Sequence, residues 1–298
     1  MLSSLDRDNY STSSNYRKDI DGLRALAITT VIINHFNKTL LPGGYLGVDI
    51  FFVISGFVIT SSLHHRTNKN FTDFICGFYE RRLKRIVPAL SIFVLIMSIL
   101  VCIFNPKASV NLLTGLTSLF GISNIYLLKQ STDYFSQSTQ LNVFTQTWSL
   151  GVEEQFYIIF PFFIWFSGFG RKSKNGGRNL LLSLGVLTII SLIGFIHLYQ
   201  INQPAAYFLM PTRFWEIALG SILFLTLKGK STSKKFIQKI PPIIFLILII
   251  GIMYLPQKLA VLSTFTVVVL TSLLIASLRR DTLVYDILTN PKIVYIGL

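Results

Sequence analysis

Charge is what this sequence has least of. Lys, Arg, Asp and Glu make up 13% of its 298 residues, where a soluble domain carries roughly a quarter. Apolar residues fill 51% of the chain and mean hydropathy is +0.58. The apolar runs approach the ~20 residues that a membrane-crossing helix needs, which excludes an ordinary soluble domain and a disordered chain. Cysteine is nearly absent too. Cys76 lies in a basic loop and Cys102 in an apolar run, which makes neither a disulfide framework nor a metal-ligand spacing. No repeat at solenoid periods and no second, soluble-looking domain is visible. Residues 1–19 are polar and Arg24 interrupts the first apolar stretch, so no cleavable signal peptide is read. The net charge of +14 does not mark a nucleic-acid binder, because the cations sit in short loops between apolar segments, as positive-inside anchoring requires.

What is present is a series of about nine apolar stretches. They fall near 22–41, 45–63, 86–104, 111–128, 149–169, 180–199, 205–227, 240–255 and 259–278, and a last one opens at Leu283. Helices are the default, since barrel strands would alternate over short segments. The reading is an all-α, polytopic transmembrane bundle of about 8–9 membrane segments: a polar tail at 1–19, then one membrane domain at 20–298. Basic loops at 64–85, 170–179 and 228–239, with Arg279-Arg280, belong on the cytoplasmic side. Three full crossings between Arg85 and Arg171 would put two of these loops on opposite faces, so one stretch there should not span. The weakest is 111–128, interrupted by Asn111, Thr114, Gly115, Ser118, Gly121 and Asn124. It is expected to be re-entrant or half-buried against protein, which a reporter fused near Tyr134 tests. That gives a cytoplasmic N-terminus and eight full spans.

Ionisable residues inside apolar segments are costly and therefore candidates for function. Asp21 and Arg24 are three residues apart and can pair; His35 lies on the same helix face, ~16 Å further on. An arginine anchored at one interface and a histidine at the other is an equally good reading of either residue alone. Asp49, in the glycine-rich string Gly43–Phe57, is an unmatched carboxylate, and an Asp49–His35 contact would orient the imidazole as a base. Arg82 and Arg85, before Pro88, face one way and suit a phosphate; ordinary anchoring is the stronger reading from composition alone. Glu153 and Glu154 are neighbours pointing about 100° apart, and a structural pairing with Arg213 is one option for them. Arg213 and Glu216, three apart, can neutralise each other. His64, His65 and His197 read as solvated.

These strings, in this order, resemble the acyltransferase-3 family of integral membrane O-acyltransferases. Ile20–Ala25 with His35, Gly44–Phe57, Arg82-x-x-Arg85 before Ile86–Leu90, and Thr147–Tyr157 carry the likeness, which covers Tyr16 to Leu298. The resemblance implies transfer of an acyl group, usually acetyl, from cytoplasmic acyl-CoA to a hydroxyl of an exported or cell-surface glycan. Lipopolysaccharide O-antigen, exopolysaccharide and peptidoglycan are the acceptor types in view. By the same resemblance His35, Arg24, Glu153 and Glu154 are the catalytic candidates, and Asp49 joins them from its place in the apolar string. Arg82 and Arg85 hold acyl-CoA, and Arg213 with Glu216 forms a structural or oxyanion pair. No metal is implied. The expected setting is the inner membrane, with lipids and a glycan or lipid-linked glycan as partners. Family members usually continue past Leu298 with further hydrophobic segments, so the chain is expected to lack C-terminal helices. A polytopic transporter, or a catalytically impaired fragment, is the alternative.

Overall fold

The computed structural model describes residues 17–64, 70–105, 108–133, 141–228 and 237–298. Residues 1–16 of the expected tail at 1–19, Tyr134, His65 and the loop residues Arg66, Lys69, Lys230, Lys234 and Lys235 lie outside them. Among the described residues the fold is helical, without strands. The order is α1 (Lys18–Phe36), α2 (Gly47–His64), α3 (Phe71–Phe104), α4 (Ser109–Leu119), α5 (Ser123–Thr132) and α6 (Thr147–Phe166). Then come α7 (Gly176–Ile201), α8 (Gln203–Phe208), α9 (Met210–Lys228), α10 (Pro242–Ile252), α11 (Ala260–Ser277), α12 (Leu283–Leu288) and α13 (Pro291–Gly297). Five helical segments are long and apolar enough to cross a membrane: Gly44–His64, Phe71–Phe104, Gly176–Ile201, Gln203–Lys228 and Gln257–Ser277. Helix α1, with Asp19, Asp21 and Arg24, and α6, with Glu153-Glu154, are not among those five. The stretch expected at 240–255 yields only an 11-residue helix, Pro242–Ile252, ~16 Å long against a ~30 Å hydrocarbon core.

Helices α2 and α9 form the centre. Of the apolar window of Gly44–His64, 72% is buried within the protein, against 11% for α3, whose Ile92, Leu95, Ile96 and Ile99 face outward. Small residues let α2 and α9 touch backbone to backbone. A Cβ added at Gly56 would lie 1.8 Å from the Ile217 carbonyl oxygen, and one at Gly220 would lie 1.9 Å from that of Val53. Such close approach is how helices associate where hydrophobic burial gives little advantage.

Contacts along each pair fix the helix directions. Asp49 meets Arg213 near one end of α2 and α9, and His64 meets Lys228 at the other, so these helices run parallel. Phe52 meets Trp148 and Ser55 meets Glu153, so α6 runs parallel to α2 as well. Phe74 packs on Trp165, Arg82 on Tyr157 and Phe93 on Phe144, so α3 is antiparallel to α6. The chain therefore returns from α3 to the start of α6 at the end where it left.

The intervening α4 and α5, of 11 and 10 residues, are each too short to cross. They break at Gly121, whose φ of 68° is the left-handed conformation that favours glycine. Their polar residues are satisfied internally. Asn111 Oδ1 accepts the Val143 N–H at 3.0 Å, Asn142 Nδ2 donates to Thr114 Oγ1 at 2.6 Å, and Ser123 Oγ donates to the Thr147 carbonyl at 2.8 Å. The polarity that made 111–128 a poor span thus serves packing against protein.

Candidate functional site

The ionisable residues fall into two clusters at different heights of the bundle, with His35 apart from both. The first forms where α1, α2, α3 and α6 converge. Arg24 Nη1 donates to Asp21 Oδ1 at 2.6 Å, as the spacing of three predicts. Glu153, on α6, accepts from Ser55 Oγ of α2 at 2.5 Å and from its own helix neighbour Tyr157 Oη at 3.0 Å. The Arg82 guanidinium lies 4.6 Å from the centre of the Tyr157 ring and 5.9 Å from that of Phe78, a cation–π seat. Arg85 lies within electrostatic range of Arg24, Arg82, Tyr157 and Asp21, and Glu153 within range of Arg82 and Arg24. Arg24 and Arg82, from two helices, thus lie near one buried carboxylate, and Arg85 lies beside those two arginines. The apolar run of α3 begins at Ile86, immediately after Arg85.

The second cluster sits nearer the other end of α2 and α9. Arg213 holds Asp49 at 3.0 Å and Glu216 at 2.5 Å. All three are buried, at 3%, 1% and 0% exposure, so solvent screens the pairs little. Four aromatic rings surround the guanidinium: Tyr207 at 5.3 Å, Trp148 and Phe195 each at 5.6 Å, and Phe52 at 6.0 Å. A planar guanidinium suits this role because it pairs with two carboxylates through its edge and with rings through its faces.

Three expectations are corrected here. Asp49 does not orient His35: it faces Arg213, and among the described residues no hydrogen bond or ion pair joins it to the imidazole. The reason is height. Gly47 of α2 meets α1 at Ala27 and Thr30, so His35, in the last turn of α1, lies beyond the start of α2, exposed, with Nδ1 2.9 Å from the Val31 carbonyl. Glu153 does not pair with Arg213, because Ser55 and Tyr157 already satisfy it. Glu154 points elsewhere as well, toward the turn at Gly121, as the ~100° between neighbours requires. His64, expected to be solvated, is partly buried against the Phe169 and Phe224 rings, with centroids 4.9 and 6.0 Å away. Among the described residues no group of three His, Cys, Asp or Glu side chains is placed to hold a metal ion.

A family profile described as an acyltransferase domain matches residues 17–284. The chain belongs to the acyltransferase-3 family. The chain is similar to the O-acetyltransferase OatA of Staphylococcus aureus (strain NCTC 8325 / PS 47), 37% identical over 217 residues, which is 71% of this chain and 35% of that protein. The peptidoglycan O-acetyltransferase OatA of Listeria monocytogenes serovar 1/2a (strain ATCC BAA-679 / EGD-e) is 32% identical over 212 residues, 71% of this chain and 34% of that protein. A relative from Staphylococcus aureus (strain MSSA476), provisionally named an O-acetyltransferase, is 32% identical over 298 residues, 95% of this chain and 48% of that protein. This acyltransferase-3 chain therefore spans less than half the length of these curated relatives. No solved structure matches it.

Within this acyltransferase-3 chain, reading the sequence missed Ser55, Tyr157 and Tyr207 as parts of the polar clusters. Only Tyr157 left a trace: four residues after Glu153, it shares a helix face with that carboxylate. Ser55 and Tyr207 come from other helices, and nothing in their local sequence marks them.

Proposed function

We propose that the chain is the membrane part of an O-acetyltransferase that moves an acetyl group from cytoplasmic acetyl-CoA to a hydroxyl of a cell-envelope glycan. The gathering of Arg24, Arg82 and Arg85 on α1 and α3, with Glu153 beside the first two, is the observation that carries this reading. Guanidiniums bind phosphate bidentately, and two on α3 with a third beside them on α1 suit a donor that carries several phosphates. In this reading Arg82 and Arg85 hold the donor phosphates, and Glu153 with Asp21 keeps the arginines in place. His35, ~16 Å away along α1, removes the acceptor hydroxyl's proton as the hydroxyl oxygen attacks the thioester carbon. The thiolate of the donor then leaves with the electrons of the broken C–S bond. A positioned base contributes about 10²–10⁴-fold. Arg213, with two carboxylates and four rings around it, serves the architecture. The name of the Listeria relative favours peptidoglycan as the acceptor class.

The helix directions support the topology that places donor and acceptor on opposite faces. With the N-terminus cytoplasmic and 111–128 re-entrant, α2, α6 and α9 all run from outside to inside, as their parallel packing requires. Making 111–128 a full crossing would reverse α6 and α9 relative to α2.

The experiment is acetyl transfer and CoA release from labelled acetyl-CoA by the chain in proteoliposomes loaded with glycan. Arg82→Gln/Arg85→Gln raises the donor KM by about tenfold or more, on the scale of a lost charge-assisted bond. His35→Ala lowers kcat by about 10²–10⁴-fold. Near-normal transfer by His35→Ala overturns the assignment, and glycan movement without CoA release would make the protein a transporter.

A further inference from the structure

Two cavities of about 320 and 330 Å³ open where α2 and α9 end, away from the Arg213 cluster, and the same two residues, His64 and Lys228, line both. Phe57, Phe224, Leu227, Ile275 and Leu278 form the apolar part of the first, and Arg17 and Gln238 also border it. The second is bordered by Lys172, Ser173 and Lys174 from the turn between α6 and α7. That turn is tight: Ser173 N–H donates to the Gly168 carbonyl at 3.0 Å, and Lys172 adopts a φ of 56°, uncommon for a residue with a side chain. Lys228 Nζ lies 3.4 Å from His64 Nδ1 and 5.3 Å from the Phe169 ring centre. Arg17 is paired with Asp19. Among the described residues no carboxylate lines either cavity, and none forms an ion pair with Lys172, Lys174 or Lys228.

Ordinary positive-inside lysines extend into water or toward lipid headgroups. Here Lys228, exposed like the other two lysines, borders both hollows, between Lys172 and Lys174 of the second and the aromatic and aliphatic side chains of the first. We infer that the paired cavities bind a phosphate group, held by Lys172, Lys174 and Lys228, on a molecule whose apolar or planar part lies against Phe57, Phe224 and Ile275. Two kinds of molecule carry that chemistry: an anionic phospholipid, with its acyl chains in the first cavity, and a nucleotide, with its base there. This site is separate from Arg82 and Arg85 and does not rest on their donor-binding role.

The test uses the full chain in phosphatidylcholine nanodiscs. One arm measures binding of 3′,5′-ADP, and the other the rise in unfolding temperature as phosphatidylglycerol replaces phosphatidylcholine. Lys228→Gln and, independently, Lys172→Gln/Lys174→Gln weaken one of these responses by about tenfold. The arm that responds identifies the ligand class. Arg178→Gln, the same loss of charge outside both cavities, leaves it unchanged. The proposal fails if neither arm responds to either cavity variant, or if Arg178→Gln weakens binding as much. Loss of ADP binding in Arg82→Gln/Arg85→Gln alone would assign the nucleotide to the donor site and leave the lipid arm to decide.

Discussion

Removing the Arg213 side-chain charge is the sharpest test of the central packing. In Arg213→Met the buried Asp49 and Glu216 carboxylates keep their places and lose the cation between them. At the 3.0 Å of the Arg213–Asp49 pair, Coulomb attraction is roughly 5 kcal/mol for an effective dielectric of 20. Desolvation of the three groups offsets much of this in the intact protein. Deleting one partner is different, because the desolvation remains while the attraction is gone, and such deletions cost about 3–5 kcal/mol. Loss of the four ring contacts adds to the cost. Glu216→Gln should behave in the opposite way: two formal negative charges face one positive in this cluster, and the substitution leaves one of each, for a change of about 1 kcal/mol or less. Thermal unfolding in nanodiscs, followed by the fluorescence of Trp148 and Trp215 beside the cluster, ranks the two variants. Arg213→Met should fall by roughly 6–20 °C and Glu216→Gln by a few degrees at most. Arg213→Lys, which keeps the charge without the planar fork, should fall between them. Equal melting of Arg213→Met and wild type, or greater damage from Glu216→Gln, would refute the assignment of Arg213 as the electrostatic centre of the pair.

Other outcomes follow from particular contacts. Gly56→Ala drives a methyl group into the Ile217 carbonyl and should cost at least ~1–3 kcal/mol. Gly185→Ala, with nothing within 4 Å, should stabilise α7 by ~0.5–1 kcal/mol; equal effects would mean that α2 and α9 do not touch as described. Ser55→Ala and Tyr157→Phe each remove a donor from buried Glu153, at ~1.5–3 kcal/mol apiece. A double-mutant cycle on unfolding should show the two losses to be coupled, and strict additivity would argue against a shared acceptor. After Cys76 and Cys102, both exposed, are replaced by serine, cysteines at positions 105 and 145 should react with an impermeant maleimide from the same side. Labelling from opposite sides would defeat the antiparallel arrangement of α3 and α6.

The sequence made some of this legible and hid the rest for physical reasons. Pairs within one helix were readable, because a spacing of three or four residues fixes a shared face: Asp21–Arg24 and Arg213–Glu216 both form. The interruption at 111–128 was visible as polarity, and it appears as two short helices broken at Gly121. Pairs between helices were not readable. Asp49 looked like a partner for His35 because the two are near in the chain, but a difference of height along α1 separates them, and Arg213, far away in sequence, takes the carboxylate. The length of an apolar run also says little about where a helix is cut, as Pro242–Ile252 shows. Membership of the acyltransferase-3 family was readable because it rests on the order of several strings, which no single contact alters.

The glycine-mediated seam between α2 and α9 has a mechanical consequence. With the Gly56 backbone against Ile217 and Gly220 against Val53, any axial displacement of one helix would push a side chain into the other's carbonyls. The two helices therefore behave as a single strut, able to tilt but not to slide. The strut carries Asp49 and Arg213 at one end and His64 and Lys228 at the other, ~22 Å away at helical rise. A load applied at the cavity end reaches the buried ion cluster as rotation of a lever, and the neighbouring helices α6 and α11 have to give way to it.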